Sequence, residues 1–259
     1  MLNKNILIMV LAMAPLFPAL ALHEFGLSSG GGLSLGGLFT RYAITADENT
    51  SYGPADLKMS QNMDQFNFGG YLFFDAAYAE LSLDIQRGIS KYKETINGIG
   101  GGALISNLPL EGSGLETMLG FTLLGKYPFV LLEGLFLYPF AGIEYHIALV
   151  EKRKPKGDSE YDRTEGKTEF DAARDYPIYL WNSFFIDAGA GLDFVFRSPM
   201  FLRAEFIYSF RLQTPYETAA VDYVMARFGI SQPRLWGNPR MSGLTHGPEL
   251  RFALGYRFK

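Results

Sequence analysis

The chain has 259 residues, no cysteine and a formal net charge of −4. Disulfide staples, thiolate chemistry and Cys-based metal sites are thereby excluded, and the acidic balance lacks the basic surplus of a nucleic-acid binder. Aromatic residues make up 15% of the chain and glycine contributes 29 residues, yet mean hydropathy is only +0.05. That combination suits strands that alternate lipid-facing and polar side chains better than apolar spanning helices.

The chain opens as an export signal. Met1–Asn5 carries one cation, Lys4; Ile6–Leu11 is unbroken apolar sequence; Ala19-Leu20-Ala21 places small residues at the two positions a signal peptidase reads. Pro15 and Pro18 interrupt the apolar run, so an anchor is disfavoured. The predicted division is a leader over 1–21 and a mature barrel over 22–259. No later segment has 18 consecutive apolar residues.

Alternation with period two dominates the rest. Phe25, Leu27, Leu33, Leu35 and Phe39 share one parity and predict a first, glycine-rich strand. Phe66, Phe68, Leu72 and Phe74 alternate with Asn67, Tyr71 and Asp75; Leu81, Leu83 and Ile85 alternate with Glu80, Ser82 and Asp84. The same pattern recurs over Leu115–Leu123, Ala141–Leu149, Phe184–Phe196, Leu202–Leu212 and Leu250–Phe258. Eight strands result, each with one parity free of charge. The apolar parity is too aromatic, and the strands too long, for a soluble sandwich. Short connections at Ala76–Tyr78, Lys126–Gly134 and Ser198–Met200 alternate with long ones at Ala43–Met63, Ser90–Gly114, Val150–Tyr179 and Gln213–Gly243. This predicts an all-β fold: a single transmembrane antiparallel up-and-down barrel with short periplasmic turns, long extracellular loops and both termini periplasmic. Glu151–Asp175 has 15 charged residues in 25, of both signs, and reads as a solvated loop. Ala220, Tyr223, Val224 and Phe228 stand at helical spacing, consistent with either a short helix over Tyr216–Phe228 or an irregular loop.

The polar parity carries the chemistry. Asp75, Glu80, Asp84, Glu116, Glu144, Asp187, Asp193, Glu205 and Glu249 point inward with Arg203, Arg211, Arg251 and Arg257. An eight-stranded barrel is just wide enough for side chains to fill it, and buried charges there need partners. The expectation is a luminal polar network of Glu116, Glu144, His146, Asp187, Asp193, Arg203, Glu205, Arg211, Arg251 and Arg257, with Glu144, Glu116 and Asp187 facing the arginines. Glu144 and His146 could also act as an acid–base pair, although a structural role is favoured. Gly26-Leu27-Ser28-Ser29-Gly30 fits G-x-S-x-G without its strand–turn–helix context, and Gly98–Ala103 fits a dinucleotide fingerprint without a βαβ unit. His23, His146 and His246 are far apart and form no H-E-x-x-H pair, so neither catalytic residue, cofactor nor metal site is predicted.

Arg251-Phe252-Ala253-Leu254-Gly255-Tyr256-Arg257-Phe258 resembles the C-terminal β-signal of outer-membrane proteins. In that family this strand is read by the barrel-assembly machinery, which implies such a role for Arg251, Ala253, Tyr256 and Phe258. Ala253 stands where glycine is usual, and Lys259 follows the closing aromatic. Gly125-Lys126-Tyr127-Pro128-Phe129 with Leu137–Tyr145 also looks like small spirochaete outer-membrane proteins. The whole mature chain resembles barrels of the OmpA, OmpX and OmpW type. Such barrels serve as adhesins, structural proteins, conduits for small or hydrophobic solutes, or lipid enzymes, so the fold leaves function open. The reading favoured is a non-enzymatic barrel acting structurally or through its surface loops. A narrow, porin-like conduit is the alternative and a lipid-modifying enzyme the second. Expected partners are outer-membrane lipid, the assembly machinery and an unspecified extracellular ligand.

Overall fold

The structure is a computed structural model and describes residues 26–50, 53–76, 78–100, 103–155, 170–171, 182–197, 199–212 and 240–258. The leader 1–21 and the segment Tyr216–Phe228 lie outside these residues. The described residues form ten strands: β1 (Leu27–Thr50), β2 (Gly53–Ala76), β3 (Ala79–Gly100), β4 (Ala103–Lys126), β5 (Phe129–Leu132), β6 (Leu135–Pro155), β7 (Phe170–Asp171), β8 (Ser183–Arg197), β9 (Met200–Leu212) and β10 (Arg240–Arg257). All pairings are antiparallel. The order β4-β3-β2-β1-β10-β9-β8-β6 closes on itself through β4 and β6. Eight strands thus form a barrel, and β7 only flanks β6.

β5 is a continuation of the β4 stave. β4 follows β6 as far as Lys126↔Phe140, and β5 resumes at Phe129↔Leu137. Between them lie Tyr127 and Pro128, and proline cannot donate to a ladder. The chain then reverses at Glu133–Gly134, where Gly134 takes φ 77°, the left-handed region that glycine enters without strain. The short connection expected over Lys126–Gly134 is therefore a small hairpin.

Closure is what the outward parity demands. Leu33, Leu72, Phe66, Leu81, Ile85, Phe121, Leu192, Leu202, Phe206 and Phe252 are all among the exposed large hydrophobics. A belt this apolar fits hydrocarbon, where each backbone N–H and C=O must find its partner within the wall. Tyr78 against Tyr127, Tyr127 against Phe129, and Tyr256 against Phe258 make an aromatic rim at the short-turn end. Phe39, Tyr208, Phe210 and His246 cluster on the outer face further up, where the Tyr208 hydroxyl lies 2.6 Å from His246 Nδ1. Just beyond Phe39 the outward row turns charged: Arg41 pairs with Asp64 at 2.8 Å. The rim-to-rim distance of about 12 residues matches a tilted crossing of a roughly 25 Å apolar band.

Two of the expected long loops are regular ladder instead. β1 and β2 stay paired up to Thr50↔Gly53, and β3 and β4 up to Gly100↔Ala103. These stretches read as loops because polar Thr, Asp, Asn, Lys and Gly replace the apolar parity above the belt. An antiparallel hairpin in water needs no such parity, since its backbone hydrogen bonds continue regardless. These staves therefore project well past the belt. At the height of Lys93 a further ion pair, to Glu111 at 2.8 Å, sits on the exposed wall.

The lumen is packed by a large-against-small device. Inward glycines stand opposite bulky inward side chains: a Cβ on Gly191 would come within 2.3 Å of the Tyr138 ring, and one on Gly255 within 2.1 Å of Phe201. In a small barrel the interior leaves no other space. We expect Gly191→Val to lower the unfolding midpoint in detergent markedly, whereas Gly125→Ala, whose Cβ would meet only a carbonyl oxygen at 3.7 Å, should leave it nearly unchanged.

Candidate functional site

Two ionic layers fill the lumen. The first lies near the short turns. Asp75 and Glu80 face each other across the β2–β3 hairpin, and Asp193 lies opposite Arg203 between β8 and β9. Arg203 is 2% exposed and reaches all three acids. Its Nη2 donates to Asp75 at 2.6 Å, Nη1 to Glu80 at 2.5 Å, and Nε and Nη2 make a two-pronged contact with Asp193 at 2.8 Å each. The guanidinium also lies 4.2 Å from the centre of the Phe73 ring. Lys126 contacts Asp75 and lies 3.2 Å from Glu80. The Tyr138 hydroxyl donates to Glu205 at 2.9 Å. Phe73, Tyr71, Phe201 and Ala253 pack as one buried cluster beside these charges, with Leu124, Tyr138, Phe140 and Ile207 as another. Fork geometry and aromatic faces suit arginine far better than lysine at Arg203.

The second layer lies above it. Arg251, fully buried, donates through Nε to Glu249 at 2.6 Å, through Nη2 to Glu144 at 3.2 Å and through Nη1 to Ser82 at 3.3 Å. Gln86 donates to the other oxygen of Glu249 at 3.1 Å, and Thr122 donates to Glu144 at 3.2 Å. His146 lies 3.1 Å from Glu144, off the line of a hydrogen bond. Higher still, Gln65 donates to Glu116 at 3.0 Å and to Asn67 at 2.8 Å.

Every residue expected in the network lies on an inward-facing position, but its partners differ from those expected. Glu116 meets Gln65. Asp187 is fully buried opposite Ser209. Of the three acids expected to face the arginines, Glu144 alone contacts one, Arg251. Arg203 turns to Asp75, Glu80 and Asp193, because its height on β9 matches theirs near the short turns. Arg257 is half-buried, its guanidinium 4.6 Å from the Phe136 ring, and Arg211 stands toward the other end of β9. On β10, Arg251 and Ala253 point inward while Tyr256 points out, as does Phe258 just past the strand end. Lys126, which the sequence reading places in a short connection, belongs to the luminal network as well. The parity of Gly120, Thr122 and Leu124 carries inward through it, and that signal was available in the sequence.

No protein-family model matches the chain, and no curated protein matches it. Among solved structures, the chain is similar to the outer membrane protein OprG from Pseudomonas aeruginosa, with 9% identity over 90% of this chain and 96% of that one and a TM-score of 0.41. It is similar to Neisserial surface protein A, with 10% identity over 88% and 99% and a TM-score of 0.33. It is likewise similar to Ail of Yersinia pestis, with 14% identity over 90% and 99% and a TM-score of 0.31.

Proposed function

We propose that the chain is an integral outer-membrane barrel with a sealed lumen, acting at the cell surface through the strand ends and connections beyond the apolar belt, without catalysis. The observation that carries this reading is the Arg203 layer. One buried guanidinium held by three carboxylates, backed by Lys126 and Tyr138, spans the narrow interior from β9 to β2 and β3. An ion passing it must break charge-assisted hydrogen bonds in a desolvated site, at a cost of several kcal/mol. In this reading the leader 1–21 directs export, the termini and short turns face the periplasm, and the outward aromatics Tyr256 and Phe258 serve recognition by the assembly machinery.

Purified protein in planar bilayers is expected to show no steady ohmic conductance. A stable open level of porin size would overturn the sealed lumen and favour the conduit reading. An epitope tag at Gly157, in the connection after β6, should be labelled on intact cells; labelling only after permeabilisation would reverse the proposed orientation.

A further inference from the structure

The second ionic layer contains a group of side chains that its hydrogen bonds do not account for. Asp84 on β3, Gly120 on β4 and His146 on β6 stand on one rung, Asp84↔Gly120 and Gly120↔His146. Two side chains separated by a whole strand would ordinarily stand about 10 Å apart at their backbones. The glycine between them opens the space: a Cβ there would stand 2.2 Å from Asp84 Oδ2, so the carboxylate lies across the bare backbone of β4 toward His146. Glu144, two residues before His146 on the same face, completes a cluster whose ligand atoms all lie within 4.8 Å of one another.

The cluster is deeply buried, with Asp84 1%, Glu144 3% and His146 4% exposed. Neither carboxylate oxygen of Asp84 and neither ring nitrogen of His146 has a hydrogen-bond partner of good geometry; His146 Nε2 approaches only Glu144, at 3.1 Å. Buried polar atoms in a barrel are ordinarily satisfied, and leaving several of them bare in one place costs free energy that needs a reason. Glu144 and His146 also line a small cavity of about 10 Å³, room for roughly one water, with Gln86, Asn67, Ser209 and Glu249 around it.

We propose that Asp84, Glu144 and His146 bind one divalent transition-metal ion inside the barrel, above the Arg203 layer. Two carboxylate oxygens and one imidazole nitrogen are hard-to-borderline donors, which suits Zn²⁺ and its neighbours over Ca²⁺ or Mg²⁺. Three protein ligands and one water make a four-coordinate site, and the cavity beside Glu144 and His146 has space for that water. Metal–ligand bonds of about 2.1 Å put tetrahedral ligand atoms roughly 3.4 Å apart, so binding draws the three groups somewhat closer. Arg251 lies 3.2 Å from Glu144 and 4.0 Å from Asp84 and opposes a cation there. It keeps its contact with Glu249 at 2.6 Å when the ion claims the other two, and Glu249 leaves a carboxylate beside the same layer. This site is independent of the surface role, since a sealed barrel serves at the surface with or without a metal.

The test is calorimetric titration of the untagged, refolded mature barrel in detergent with ZnCl₂, and with CoCl₂ followed by its visible absorption. The expected result is one Zn²⁺ per chain at micromolar affinity or better, with cobalt bands of four-coordinate intensity. His146→Gln and Asp84→Asn should each weaken binding at least tenfold. Gly120→Ala should do so as well, since its new methyl displaces the flexible end of Asp84 rather than the wall. Glu116→Gln, in the layer above, should bind as the wild type does. Folding of each variant is checked by its heat-dependent shift in gel mobility. Failure of the folded wild type to bind stoichiometric Zn²⁺ overturns the proposal. So does Zn²⁺ binding of unchanged affinity in His146→Gln and Asp84→Asn, which would place the ion elsewhere on the chain.

Discussion

Arg203→Ala is expected to destabilise the barrel by about 3–5 kcal/mol, the cost of breaking a buried ion pair from one side. The guanidinium is the hub of its layer. Removing it leaves Asp75, Glu80 and Asp193 without the four hydrogen bonds it donates to them, and leaves Lys126 facing Asp75 and Glu80 alone. Three carboxylates then repel one another in a space that also loses the stacking of a cation over Phe73. Arg203→Lys keeps the charge but not the fork, and should fall between the two. Adding Glu80→Gln and Asp193→Asn to Arg203→Ala should recover part of the loss, because the carboxylates left bare are the source of it. Guanidinium unfolding in vesicles, followed by circular dichroism, measures all four proteins. The same Arg203→Ala barrel should admit small ions in planar bilayers where the wild type does not. An unaltered midpoint together with unaltered conductance would mean that this layer neither holds the wall nor closes it.

What the sequence discloses and what it conceals divide along a physical line. Parity is local, so each of the eight wall strands and the inward side of each acid and arginine could be read from alternation alone. Leu192 outward and Asp193 inward is such a case. Height is not local. It depends on the register between strands, which the hydrogen-bond ladder and the turn positions set together. Arg203 was therefore expected opposite the mid-strand acids Glu144, Glu116 and Asp187, and instead meets Asp75, Glu80 and Asp193 near the turns. The grouping of Asp84 with His146 was hidden for the same reason. They are 62 positions apart, and what brings them together is a glycine on a third strand. The loops at Ala43–Met63 and Ser90–Gly114 illustrate a different gap. Lost apolar parity marks where the belt ends, which is a fact about lipid, and the strands run on past that border into water.

Leu192→Arg should cost about 2–4 kcal/mol, the penalty of a cation near the middle of the hydrocarbon. Leu192 is 41% exposed on the outer wall, between Leu137 of β6 and Ala204 of β9 in register. It lies five residues from the end of β8 at Arg197, so at about 3.3 Å per residue and a tilt near 40° it sits roughly 13 Å above the short-turn rim. That is close to half of the apolar band. Leu212, equally outward and 40% exposed, ends β9 twelve residues above Met200 and so lies at the opposite border. Leu212→Arg should accordingly cost only about 0–1 kcal/mol, since the guanidinium there reaches water and headgroups. Reversible unfolding of both variants from phospholipid vesicles gives the comparison directly. The difference between them is the informative quantity, because the two substitutions are chemically identical and differ only in depth. If both variants unfold at the wild-type midpoint, the exposed row does not face hydrocarbon. If both lose the same amount, the belt extends beyond Leu212, and the staves that project past it are shorter than the outward charges at Arg41 and Asp64 imply.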